Sequence, residues 1–135
     1  MDAIQAWHAY AAAPDPAALH ALLDPDVTFD SPVVFATQHG RPITAGYLTA
    51  AVSVLGTADF RYVGDWRSET GAVLEFETII DGVTINGVDI IRLTDDRQRI
   101  AAFKVMVRPL KAVNLVHQKM AEMLAASGRT APQGA

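Results

Sequence analysis

The sequence predicts an α+β domain in which N-terminal helices pack on a curved, mixed but mostly antiparallel sheet around one largely apolar pocket. Three observations lead there. Stretches with apolar residues at helical spacing come first, long alternating stretches then follow one another directly, and Asp81-Gly82 joins two of these as a tight hairpin would. Helices followed by antiparallel strands is the order of an α+β fold, whereas βαβ units would interleave them.

In chain order, Ile4, Trp7, His8 and Ala11 recur at helical spacing and predict a helix over 2–12 with Asp2 as its N-cap. Pro14-Asp15-Pro16 ends it, and Pro16 opens a second helix over about 16–23, with Leu19, Leu22 and Leu23 along one side. After the turn Asp24-Pro25-Asp26, Val27 to Asp30 alternates as a short strand that Ser31-Pro32 ends. Val33-Val34-Phe35 predicts another extended piece before a loop around Gly40. Pro42 and Gly56 bracket a third helix over 42–55. Strands are predicted over about 59–67, 72–80, 83–93 and 99–108, with a longer turn at Thr94–Gln98. Pro109 opens a last helix over about 110–125, with Leu110, Val113, Val116, Met120 and Met123 or Leu124 as its apolar stripe. Residues 1–125 are thus expected to form a single domain and 126–135 a flexible tail.

A chain of 135 residues, half of them apolar, can bury a core without covalent staples. The absence of cysteine removes disulfides, thiolate metal sites and thiol nucleophiles, and suits the cytoplasm. A net charge of −4 with eleven scattered Lys and Arg argues against a nucleic-acid partner. No apolar run reaches the roughly 20 residues of a membrane helix. Met1-Asp2-Ala3-Ile4-Gln5 lacks the basic region and cleavage site of a signal peptide. A cytoplasmic protein with neither membrane nor nucleic-acid partners is expected.

Alternation assigns the sheet faces. Leu74, Phe76, Thr78 and Ile80 share one face with Ile85, Gly87, Asp89, Ile91 and Leu93, and with Phe103, Val105 and Val107. The other face mixes Glu75, Glu77, Arg92, Lys104 and Arg108 with aliphatics, as a solvated or subunit-contacting face would, and its charges are expected to pair across strands. Asp89 breaks the apolar face in mid-strand. A buried carboxylate needs partners or a proton, so Asp89 either serves folding, hydrogen-bonded to a helix N-terminus or a Tyr hydroxyl, or exchanges a proton with a ligand.

The order of elements, the strand Val27-Thr28-Phe29-Asp30-Ser31-Pro32-Val33, the Gly40-Arg41 entry to the third helix and the stretch from Asp81-Gly82 to Val88-Asp89-Ile90-Ile91-Arg92-Leu93 resemble the nuclear-transport-factor-2-like superfamily, with its SnoaL-like and ketosteroid-isomerase-like members. The resemblance covers roughly residues 1–108 and implies a cystatin-like, cone-shaped sheet wrapped by helices, a deep pocket, and a homodimer formed through the outer sheet face. It aligns Asp89 with the protonated Asp of ketosteroid isomerase and Tyr10, after a short gap, with its oxyanion Tyr. The base position falls on Ser31; Asp30 is one residue off and by period two faces the other way. The supporting Tyr positions fall near Leu23 and Leu48. With the base missing, steroid isomerisation itself is not expected.

His8 and His20 lie on the first two helices, His117 on the last, and each reads as a surface or packing residue; His39 is the best acid–base candidate among the four, bordering the pocket mouth in the resembled fold. No metal-ligand spacing occurs, and no metal or cofactor is expected. Trp7, Phe35, Leu48, Tyr62, Trp66, Phe76, Thr78, Phe103 and Val105 are the expected ligand wall, with Tyr62 and Trp66 sharing the face of Phe60. Gly87 is expected to mark a bulge or a close ligand approach.

The function expected first is a cofactor-independent isomerase, cyclase, dehydratase or hydrolase acting on a small lipophilic carbonyl substrate. There Asp89 and Tyr10 would polarise the carbonyl and Asp30, His39 or water would act as base. Two other outcomes stay open: a non-catalytic binder of a lipophilic metabolite, and a dimeric interaction domain whose last helix meets a partner.

Overall fold

The computed structural model describes residues 1–128. Two helices open the chain, α1 (Ala3–Ala12) and α2 (Pro16–Leu22), followed by β1 (Leu23–Asp30), β2 (Gln38–His39) and α3 (Arg41–Leu55). Four strands come next, β3 (Arg61–Arg67), β4 (Gly71–Ile80), β5 (Val83–Leu93) and β6 (Ile100–Arg108), before α4 (Leu110–Ala126). They form one six-stranded sheet in the order β2-β1-β6-β5-β4-β3, antiparallel except for the parallel pair β1 and β6. No helix among the described residues is long and apolar enough to cross a membrane. Of the expected tail, residues 129–135 lie outside the described residues.

Local chemistry accounts for the element ends. Asp2 and Gln5 form a reciprocal capping box on α1, with the Asp2 carboxylate accepting from the Gln5 amide at 3.0 Å and the Gln5 side chain accepting from the Asp2 amide at 2.8 Å. Arg97, in the β5–β6 turn, reaches Asp2 at 3.2 Å, so the entry of α1 is tied to the sheet. Asp81 and Gly82 both take positive φ, 51° and 75°, as a two-residue hairpin turn requires.

Three expectations about the elements themselves change. Val33-Val34-Phe35 forms no strand; Ser31 Oγ accepts from the Val33 and Val34 amides and holds a turn there, and the extended piece comes later, at β2. Asp24-Pro25-Asp26 is not a separate turn but an irregular stretch within β1, where the register to β6 shifts between Leu23 and Thr28. The apolar stripe of α4 runs through Ala112, Val116 and Leu124, while Leu110 is 75% exposed.

The sheet faces follow the alternation closely. Tyr62, Phe76, Gly87 and Val107 are register partners across β3 to β6 on the inner face, with Leu74, Asp89 and Val105 in the neighbouring row. A bulge between Tyr62 and Gly64 shifts β3 by one residue, so that Gly64 pairs with Glu75 and Trp66 with Val73. That slip moves Trp66 to the outer face, where it is 59% exposed, and overturns the expectation that it shares a wall with Tyr62. The Trp66 ring lies over Gly64, where a Cβ would stand 2.5 Å from Cη2. On the outer face Glu77 pairs with Arg61 at 3.2 Å and Glu75 accepts from Asn86 at 2.9 Å, in place of the expected pairs with Lys104 and Arg108.

Candidate functional site

The core splits around two small chambers between the helices and the inner sheet face. The first lobe is walled by Trp7 of α1, Leu48 of α3, Phe60, and Phe76 and Phe103 of the sheet, with Asp89 at its side. Each element contributes by its own periodicity: Leu48, Ala51, Val52 and Leu55 recur at helical spacing on α3, and Phe76 and Asp89 point inward from alternating strands. Gly87 makes the room for Phe76, because a Cβ there would stand 2.5 Å from Phe76 Cζ and 2.6 Å from the Met106 carbonyl. The pairing of β5 with β4 runs through Gly87 without a shift, so this glycine marks a close approach and not a bulge.

A hydrogen-bonded chain fixes the polar corner of this lobe. Trp7 Nε1 donates to Tyr62 Oη at 2.9 Å, and Tyr62 Oη donates to Asp89 Oδ2 at 2.7 Å. The Tyr62 proton is thereby committed to Asp89. Among the described residues Tyr62 is the hydrogen-bond donor to this carboxyl, which leaves Oδ1 for whatever enters the lobe. Burial pushes Asp89 up to about 7, and the bond from Tyr62 acts in the opposite direction by favouring the ionised form. Tyr62 is itself raised well above the usual phenol range, first by burial and then by the charge of Asp89. Outside the lobe, His8 stands edge-on to the Tyr62 ring with centroids 5.0 Å apart, and its Nε2 lies 3.7 Å from Asp65. Arg67 clamps Asp65 through two bonds of 2.6 and 2.9 Å and, with those bonds as the main cause, holds its carboxyl below the usual range.

The second lobe lies beneath α4. Phe29, Tyr47, Val107, Val116, Met120 and Leu124 belong to its wall, which is almost wholly apolar, with Ser31 and His117 at its edge. Each lobe has a free volume of about 50 Å³, and Ala51, Leu55 and Val105 belong to both walls.

Of the residues singled out from sequence, the structure brings Asp89, Trp7, Leu48, Tyr62, Phe76, Phe103 and Val105 together in the first lobe. Tyr10 is buried beside Trp7, ring centroids 5.5 Å apart, but lies in neither wall. Asp30 is on the outer face, opposite Lys104 in register and accepting from Thr37 at 2.6 Å, because its neighbour Phe29 takes the inner face. His39 is exposed on the edge strand β2, and Phe35 is 88% exposed in the loop that Ser31 organises. Thr78 is buried, but its hydroxyl meets Thr57 at 2.9 Å and not the lobe. Ala51 and Leu55, which the sequence reading missed, carry the Leu48 periodicity onward along α3; the second lobe has no such signal, since the α4 stripe looks the same whether it closes a core or a cavity. No group of three or more His, Cys, Asp or Glu among the described residues could hold a metal ion.

Comparison with known proteins agrees with this architecture. A family described as SnoaL-like domain matches residues 4–103. A steroid delta-isomerase from Pseudomonas aeruginosa is similar at 32% identity over 93% of this chain and 90% of that chain, with a TM-score of 0.85. An uncharacterised bacterial protein with a cystatin-like fold from Silicibacter pomeroyi is similar at 28% identity over 93% of this chain and 87% of that one, TM-score 0.84. A hypothetical protein with a ketosteroid isomerase-like fold from Catenulispora acidiphila, in complex with trimethylamine, shares the fold at 19% identity and a TM-score of 0.58, over 94% and 92% of the two chains. No curated protein matches the chain.

Proposed function

Because the chain belongs to the SnoaL-like domain family, we propose that it is a small-molecule pocket protein in which Asp89 exchanges a proton with a lipophilic, carbonyl-bearing substrate, without metal or cofactor. The observation that carries this is a lone carboxyl at the side of an otherwise apolar lobe, raised to about 7 by burial. Near neutral pH both its forms are populated. The protonated form donates to a carbonyl oxygen, and the ionised form removes a proton from the adjacent carbon, which is the common step of enol-forming isomerases and cyclases. The low dielectric of the wall strengthens either interaction. The likeness to a steroid delta-isomerase supports carbonyl chemistry in general. Steroid isomerisation itself is not part of the proposal, since Ser31 stands at the base position and its hydroxyl is bound to the Val33 and Val34 amides.

The test is hydrogen–deuterium exchange at the α-carbon of small hydrophobic ketones in D2O, followed by proton NMR. Wild type is expected to exceed buffer by at least about 100-fold, and Asp89→Asn to lose that gain. Equal rates for the two proteins contradict the role of Asp89, and a wild-type rate equal to that of buffer contradicts catalysis.

A second reading, a non-catalytic binder of a lipophilic metabolite, is favoured by one observation: among the described residues Asp89 is the only acid or His in the wall of the first lobe. Saturable ketone binding without exchange selects it. In either case we infer a homodimer through the outer sheet face, supported by the exposure of Trp66, Ile79 and Met106.

A further inference from the structure

We propose that the two lobes form one site for an elongated amphiphile, with its carbonyl at Asp89 and an aliphatic or alicyclic body beneath α4, so that α4 sets the length of ligand accepted. The inference rests on the assignment of Asp89 made above. Ala51, Leu55 and Val105 line both lobes, and Val105 is the register partner of Asp89. The partition between the lobes is therefore three small or aliphatic side chains, and it begins beside the carboxyl. Each lobe has about 50 Å³ of free volume, so a ligand confined to the first leaves a comparable space unfilled beneath α4.

The chemistry of the two ends differs. The first lobe offers a carboxyl, while the second presents an almost wholly apolar wall. The Ser31 hydroxyl at its edge is already engaged by the Val33 and Val34 amides. A second polar end buried beneath α4 would meet an almost wholly apolar wall, with the exposed His117 at its edge. This favours a ligand with one polar end.

The helix that closes the second lobe lies beyond the residues that the SnoaL-like match covers, although two of the structures described above, each covering 93% of this chain, reach into it. The SnoaL-like match stops at residue 103, before α4 begins at Leu110. Five residues of α4, Val116, His117, Met120, Ala121 and Leu124, contribute to the wall. The helix is anchored: Val116 and Leu124 are buried, and Lys119 reaches Asp81 of the β4–β5 turn at 3.1 Å.

The experiment measures affinities of full-length protein for methyl ketones from butanone to dodecanone, which share a head and differ in tail. Wild-type affinity is expected to rise by about fourfold per methylene while the tail enters the second lobe, and then to level off. Ala121→Phe, which fills that lobe, is expected to lower the decanone-to-butanone affinity ratio at least tenfold. Met120→Ala, which enlarges it, is expected to move the levelling point to longer ketones, and this variant carries the test if Ala121→Phe does not fold. Affinity that levels off at butanone, or length profiles unaltered in the folded variants, overturns the inference while leaving Asp89 in its role. Failure of every ketone to bind overturns the proposed function and this inference together.

Discussion

The Tyr62 hydroxyl donates to Asp89 Oδ2 across 2.7 Å while accepting from Trp7 Nε1 across 2.9 Å. The chain of bonds joins α1, β3 and β5 at the polar corner of the first lobe. It engages Oδ2 of Asp89, and it opposes the rise in pKa that burial imposes. The behaviour of Asp89 is thus a balance between desolvation and one hydrogen bond.

The balance has a signature in stability. Asp89 ionises near 3.8 when unfolded and near 7 when folded. Below about pH 4 it is protonated in both states and burial of its charge costs nothing. Between about 4 and about 7 the unfolded state loses the proton first, so stability falls as pH rises, by up to roughly 4 kcal/mol, and then stays level. Asp89→Asn cannot ionise. The difference in unfolding free energy, variant minus wild type, should therefore grow across this window in urea titrations, which cancels the contributions of other carboxylates. A constant difference contradicts the assignment.

Tyr62→Phe removes the donor that favours the ionised carboxylate. The Asp89 midpoint is expected to move further up, and Trp7 Nε1 loses its acceptor, at a cost of about 1–3 kcal/mol in stability. Carboxyl carbon shifts and urea unfolding read the two effects separately.

Gly87→Ala sets a methyl group against Phe76 and the Met106 carbonyl. Because one of the two is backbone, the strain does not relax by a side-chain rotation alone. A loss of about 1–3 kcal/mol is expected, together with weakened ketone binding as Phe76 is pushed toward the first lobe. Thermal unfolding and calorimetry measure both.

Asp2→Ala dissolves the capping box of α1 and the tie to Arg97. It is expected to cost about 1 kcal/mol in urea unfolding.

The fold was legible because its signals are local and periodic. Pro and Gly punctuation marked α2, α3 and α4, Asp81-Gly82 marked the hairpin, and strict alternation placed Asp89 on the apolar face. What was not legible depends on register. The one-residue bulge near Gly64 turned Trp66 outward; Gly64 carries the same signal that was attached to Gly87, where no shift occurs. Within the site, the hydroxyl that meets Asp89 belongs to Tyr62 of β3, whereas the family resemblance put forward Tyr10 of α1 as the oxyanion Tyr beside it. Alternation tells which face a residue occupies; which Tyr reaches across that face is set by tertiary packing.

The most direct test of the account is a carboxyl titration of Asp89 by carbon NMR on aspartate-labelled native protein, with Asp89→Asn to assign the signal. The account predicts a midpoint of about 7, moved by addition of a hydrophobic ketone that occupies the lobe. A midpoint near 4, indifferent to ketone, would contradict it.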